Sequence, residues 1–311
     1  MQFSVESWSP EYGTAADATQ MEDTDSSVDV GIERGIADWK PITPSPSVRC
    51  PATILFVDGV RRIDASVWIT AAHVTRAGVC ASVAAGSVLC TPGSAVLHDV
   101  EVVRGLFVGP AVAAEAIDIG THGSYELFPC HGDTPEDLYL GIHQQMTLLE
   151  GKIAAEHDVE LVVFDGPLRG RNDEHSVGYV KTQHVQYLPT ELQPVLGHLQ
   201  PGQRTPLFLI GGSSMNRYSW YLRLPGPRSQ PLSGMVRCEL TAIGSVCNAV
   251  ERADSITATL PRFASEPHKD PRAPQNLYPI AGLEHQLRHR LGDSLFLERV
   301  LRRAAGGRPV R

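Results

Sequence analysis

Two stretches of the chain, ILFVDGV at 54–60 and LVVFDGP at 161–167, share one pattern: an apolar run that stops on an aspartate and a glycine. Continuous Ile, Leu, Phe and Val predicts a strand covered on both faces. Around the first of these the reading is β-rich, with a strand at 52–58, a turn at Gly59, and strands at 62–70, 78–90 and near 100–108. Short connections between them predict antiparallel neighbours. The period then changes. Leu138, Ile142, Met146, Leu149 and Ile153 recur at three- and four-residue steps, which predicts an amphipathic helix over 135–157 opened by Pro135. The second Asp-Gly strand follows at 160–165, then strands at 217–224 and 234–240, and helices at about 246–262 and 280–303. Three antiparallel strands, a helix and a further strand suit an α/β fold with an RNase H-like core, in which the fourth strand runs parallel to the first and extra strands and helices follow.

Composition changes this picture little. Of 311 residues, 42% are hydrophobic and 20% charged, as in an ordinary soluble domain. No stretch approaches the roughly 18 apolar residues of a membrane span, and the leading MQFSVESWSPEYG lacks a basic region before an apolar core. The six cysteines (Cys50, Cys80, Cys90, Cys130, Cys238, Cys247) have no C-x-x-C pair and read as small hydrophobes in a reducing compartment, so a cytoplasmic location is expected. The net charge of −8 is unevenly spread. Residues 1–45 carry nine acids against Arg34 and Lys40, and from Arg288 onward seven arginines face Asp293 and Glu298. The expected division is an acidic, partly mobile segment at 1–45, joined by PITPSPS to a folded domain over 46–311. A basic tail is compatible with a polyanionic partner, although most such tails are solvated helix ends.

The residues that could carry chemistry have bland readings too. Asp58 precedes Gly59 between two strands, which is a preferred hairpin turn. Asp165 is explained less well that way, because a proline follows and no hairpin partner is evident. If the two strands are neighbours, their terminal carboxylates converge and repel unless a divalent cation lies between them, and oxygen donors suit Mg²⁺ or Mn²⁺. Glu150, beside the apolar stripe of the helix, is a third candidate; alone it reads as an exposed glutamate. Lys181 in GYVKTQ could face a phosphate or be solvated, and Tyr278 and His285 sit on a helix where most such residues are ordinary. Tyr218, Trp220 and Tyr221 could stack on bases or belong to the core. GGSSMN at 211–216 lacks the Walker lysine, and no G-x-S-x-G or H-E-x-x-H supports a serine hydrolase or zinc protease.

Taken in order, FVDG at 56–59, Glu150, VFDGPL at 163–168, VGYVKTQ at 177–183, WYLRL at 220–224, VRCEL at 236–240 and YPIAGLEH at 278–285 resemble the NurA family of DNA-repair nucleases, especially its short bacterial members. The resemblance implies an RNase H-like, manganese-dependent 5′-to-3′ exonuclease, with endonuclease activity on single strands as an addition, that processes DNA ends in double-strand-break repair. It also implies a homodimer that works with a hexameric HerA-type ATPase. Carried over, Asp58, Glu150, Asp165 and His285 are metal ligands for two Mn²⁺ ions, with Mg²⁺ as the alternative, and Glu156 or Glu160 compete with Glu150. Tyr278 pairs with His285, and Lys181, Arg169 and Arg171 are expected to contact DNA phosphates. The rival readings are a non-catalytic DNA-processing subunit of the same fold and an RNase H-like nuclease acting on RNA.

Overall fold

A computed structural model describes residues 2–5, 27–71, 73–168, 170–181, 186–212, 215–226, 232 and 234–306. Two short strands, β1 (Gln2–Val5) and β2 (Ser27–Asp29), precede three long ones, β3 (Ile54–Ala71), β4 (Val74–Thr91) and β5 (Ser94–Val108). At 18 residues each, β3 and β4 would extend about 60 Å if straight. β3 runs through Asp58 and Gly59, where the Asp-Gly pair predicts a turn. Neither residue takes the positive φ of a two-residue hairpin turn; the chain reverses instead past Ala71, which pairs with Val74, and His73 has φ +66°. The local turn signal is overridden because the residues after Gly59 go on pairing with β4, Val60 to Ala84 and Arg61 to Val83.

After β6 (Ile117–Asp118) and β7 (Ser124–Pro129) comes α1 (Pro135–Ala155), opened by a capping box of Thr134 and Asp137. β8 (Leu161–Asp165) then lies parallel to β3, and β9 (Ser176–Val180) lies parallel to β8. The remaining elements are α2 (Pro194–His198), β10 (Phe208–Gly211), β11 (Arg217–Arg223), β12 (Met235–Thr241), α3 (Val246–Thr259), α4 (Tyr278–Arg290) and α5 (Ser294–Ala305). The strands form one sheet in the order β2-β10-β11-β12-β9-β8-β3-β4-β5-β7-β6, with β1 on β3. Its centre, β9-β8-β3-β4-β5, has three antiparallel strands followed by a helix and two parallel strands, the expected RNase H-like arrangement.

Helices cover both faces. Leu138, Ile142, Met146, Leu149 and Ile153 of α1 pack on Ala81, Val83, Ala85 and Phe107. On the other face Ile256 of α3 and Ile280, Leu283 and Leu287 of α4 pack on Phe56, Val60, Val163 and Trp220. Small residues in β4 let both layers approach closely: a side chain at Gly86 would meet Leu283 and Leu287 at 3.0–3.1 Å.

Most of the acidic segment lies outside the described residues. The described part before residue 46 is tied to the body, so residue 45 is no boundary there. β2 pairs with β10, Trp39 is buried and donates to the Val30 carbonyl, and Glu33 grips Arg204. Cys80, Cys90, Cys130 and Cys238 are buried and all six cysteines are free. Among the described residues, no helix is long and apolar enough to cross a membrane.

Candidate active site

Parallel pairing brings the two Asp-Gly strands together. Val57 is the register partner of Phe164, and one residue further along each strand stand Asp58 and Asp165. Both follow the parity of Phe56 and Val163, whose side chains pack toward α4. There β8 ends: Gly166, at φ +120°, turns the chain away while its N–H donates to the Tyr179 carbonyl. The carboxylates therefore lie at the carboxyl ends of parallel strands, where open α/β sheets form their crevices.

Glu150 arrives from the opposite layer. It is buried on α1, directly over Gly59. A Cβ at residue 59 would stand 2.6 Å from Glu150 Oε1 and 2.6 Å from Met146 Cγ. The glycine of this motif thus supplies the gap through which a helix carboxylate reaches the strand that bears Asp58.

The charges here are out of balance. Burial, then the Asp165 carboxylate, push Asp58 well above the usual aspartate range, Glu150 adds to this, and Lys181 and the Gly59 N–H offset only part. Asp165 is raised too, chiefly by burial, with Lys181 pulling it back in part. Lys181 Nζ sits 2.6 Å from Asp165 Oδ2 and 2.7 Å from Asn276 Oδ1. Asn276 is held in turn by Asp270, 2.6 Å from its Nδ2. Arg171 pairs with Glu150 at 2.6 Å and stacks over Phe164 at 3.9 Å. Its loop is pinned by Thr241 Oγ1, which donates to the Arg171 carbonyl at 2.9 Å.

A cavity of about 330 Å³ opens beside these groups. Asp58, Asp165 and Glu284 line it together with Arg61, Arg272 and Arg288. Burial pushes Glu284 up, but hydrogen bonds from Arg272 (2.5 Å) and Arg288 (2.9 Å) outweigh it and hold this carboxyl below its usual range. Arg61 is steadied by Tyr139, whose hydroxyl accepts from it at 2.6 Å.

The structure thus brings Asp58, Glu150, Asp165, Lys181 and Arg171 to one place. Tyr278 instead bonds Glu266 at 3.1 Å, and His285 is exposed on α4, beside Glu284 but not among the cavity's lining residues. Glu156 and Glu160 are also exposed, and Glu160 pairs with Arg49. Tyr218, Trp220 and Tyr221 are buried in the core, where their side chains pack as structural residues. Arg169 lies outside the described residues. Sequence reasoning missed Glu284, Arg272, Arg288 and Arg61. A signal for Glu284 existed: Ile280, Leu283, Leu287 and Leu291 mark the buried stripe of α4, and 284 flanks that stripe while 285 points away from it.

The donor set, though not its present spacing, fits a hard divalent cation: oxygens of Asp58, Glu150 and Asp165 do not all lie within 4.8 Å of one another. Asp58, Glu150 and Asp165 offer only carboxylate oxygens, and the carboxylates that burial and mutual repulsion raise are those a cation would relieve. Lys181 already holds Asp165 Oδ2, so an ion and this lysine compete for one oxygen.

The NurA domain family matches residues 136–285, from the start of α1 to His285. No curated protein matches the chain. Among solved structures, the NurA nuclease from Sulfolobus solfataricus is similar at 11% identity over 81% of this chain and 84% of that one, with a TM-score of 0.48. Endonuclease V from Bacillus subtilis is similar at 10% identity over 77% of this chain and 80% of that one, with a TM-score of 0.35.

Proposed function

We propose, from the match of the NurA domain family to residues 136–285, that this chain is a NurA-type, metal-dependent nuclease that hydrolyses phosphodiester bonds in DNA. The observation that carries this reading is the juxtaposition of Asp58 and Asp165 on paired parallel strands, with Glu150 entering over Gly59. Asp58, Glu150 and Asp165 would hold Mn²⁺, or Mg²⁺ in its place. Bound there, the ions would supply an activated water and neutralise charge on the leaving oxygen.

The chain's own cations complete the chemistry. Arg61, Arg272 and Arg288 line the same cavity as the acids and present planar donors suited to phosphate oxygens. Lys181 sits where its charge can pass from Asp165 to a phosphate as the negative charge there grows. Because arginines make these contacts, DNA cleavage should weaken steeply with added salt.

The family resemblance extends the proposal to 5′-to-3′ exonuclease action, single-strand endonuclease activity, a role in break repair in the cytoplasm, a homodimer, and a hexameric HerA-type ATPase as partner. End-labelled strands test direction, light scattering tests the dimer, and co-purification tests the ATPase. The deciding experiment is degradation of linear DNA with Mn²⁺ by the parent protein and by Asp58→Asn. Loss in the variant supports the reading, and equal activity removes this site. RNA and DNA of one sequence, assayed in parallel, separate a DNA nuclease from an enzyme acting on RNA, and an inactive parent marks a non-catalytic subunit.

A further inference from the structure

Away from that cavity, β4 and β5 fall out of step. Gly86 pairs with Val100 and Val88 with Leu97, so Ser87 alone faces two residues, His98 and Asp99. This is a β-bulge, the local insertion that re-aims side chains in a sheet. Consecutive strand residues ordinarily point to opposite faces; here both His98 and Asp99 reach one imidazole. His157, just past the end of α1, has its Nε2 2.5 Å from Asp99 Oδ2, and its ring centroid is 4.7 Å from that of His98. One ligand atom from each of the three lies within 4.8 Å of the others, and among the described residues no other trio of His, Cys, Asp or Glu does so.

We propose that His98, Asp99 and His157 form a second metal site, for Zn²⁺ or a similar late transition ion, distinct from the carboxylate site at Asp58. Two imidazoles and one carboxylate are the donors of three-ligand zinc sites, which leave a fourth position open. Mg²⁺, which demands oxygen, is poorly served by them. The ion would clamp the end of α1 to the β4–β5 pair. His157 follows Glu150 by seven residues, about 10 Å along a helix, so the clamp acts on the element that carries an active-site acid. A surface ion pair between Asp99 and His157 would need neither His98 beside it nor a bulge to aim it.

The test is titration of chelator-stripped full-length protein with ZnCl₂ by calorimetry, in the parent, His98→Asn, His157→Asn and Asp58→Asn. The expected result is a tight Zn²⁺-binding step in the parent that Asp58→Asn leaves in place, with its affinity reduced at least about tenfold in either histidine variant. Co²⁺ added to the same proteins should give visible ligand-field bands in the parent that are lost from His98→Asn. Because His98 is exposed, that variant keeps the test open should His157→Asn fold poorly. Zn²⁺ affinity equal in parent and His98→Asn, or lost in Asp58→Asn alone, overturns the proposal. This readout is independent of nuclease activity.

Discussion

Around Arg204 the molecule buries one cation against two carboxylates, whereas around Asp58 it gathers carboxylates whose repulsion its own cations offset only in part. Arg204 is fully buried and donates to both oxygens of Glu33 at 2.8 and 3.0 Å, to Asp254 at 2.6 Å, and to the Thr205 carbonyl at 3.0 Å. Glu33 also accepts from the Leu207 N–H at 2.6 Å. Each guanidinium nitrogen of Arg204 has a partner, and the network fastens Glu33 and its segment to the sheet. At Asp58, burial and two neighbouring acids raise the carboxyl, and the cavity beside it is open. A saturated network holds the fold together; an unsaturated one is poised to take a ligand.

Substitution should separate the two regions most sharply. Asp58→Asn should cut Mn²⁺-dependent DNA hydrolysis by about a thousandfold, the several kcal/mol that bound metal ions contribute, while leaving the metal-free melting temperature equal or higher. Arg204→Met should do the reverse: about 3–5 kcal/mol of stability is lost on stranding Glu33 and Asp254, measurable by urea unfolding, with activity retained by the fraction that stays folded. Destabilisation by both, or by neither, would erase the contrast.

Ligand linkage comes next. Mn²⁺ at a hundred times its Kd should stabilise the parent by about 2.7 kcal/mol and Asp58→Asn by far less, while Arg204→Met should keep the increment. A smaller effect sharpens the assignment on α4. Glu284→Gln should reduce activity more than His285→Gln, since Glu284 lines the cavity and orients Arg272 and Arg288; the opposite ranking would favour the histidine that the family resemblance names.

The smallest expected effect is on pH. Asp58 and Asp165 are raised in the folded state, so between the ordinary carboxylate value of about 3.9 and their folded values the native protein binds more protons than the unfolded chain. Stability of the metal-free protein therefore falls as pH rises through that window. Chemical denaturation over a pH series in EDTA should show a shallower decline for Asp58→Asn; an unchanged slope would contradict the raised carboxyls.

Part of this was legible in the sequence. The apolar runs before Asp58 and Asp165 and the stripe of α1 located both strands and Glu150, because buried faces impose those periods directly. The Asp-Gly turn was misread because pairing over 18 residues outweighs a local turn preference. Glu33 and Arg204 lie 171 positions apart, and no local pattern announces such a pair. The bulge at His98 and Asp99 was equally silent, since it arises from a mismatch between strands. Glu284 was readable from the α4 stripe, yet the neighbouring histidine has the more familiar chemistry.

Anomalous diffraction at the manganese edge from a Mn²⁺-soaked crystal tests the central claim most directly. The account predicts a peak bounded by oxygens of Asp58 and Asp165, with Glu150 on the same ion or its neighbour and Lys181 drawn off Asp165. Manganese found only elsewhere, with Lys181 still closed on Asp165, would contradict it.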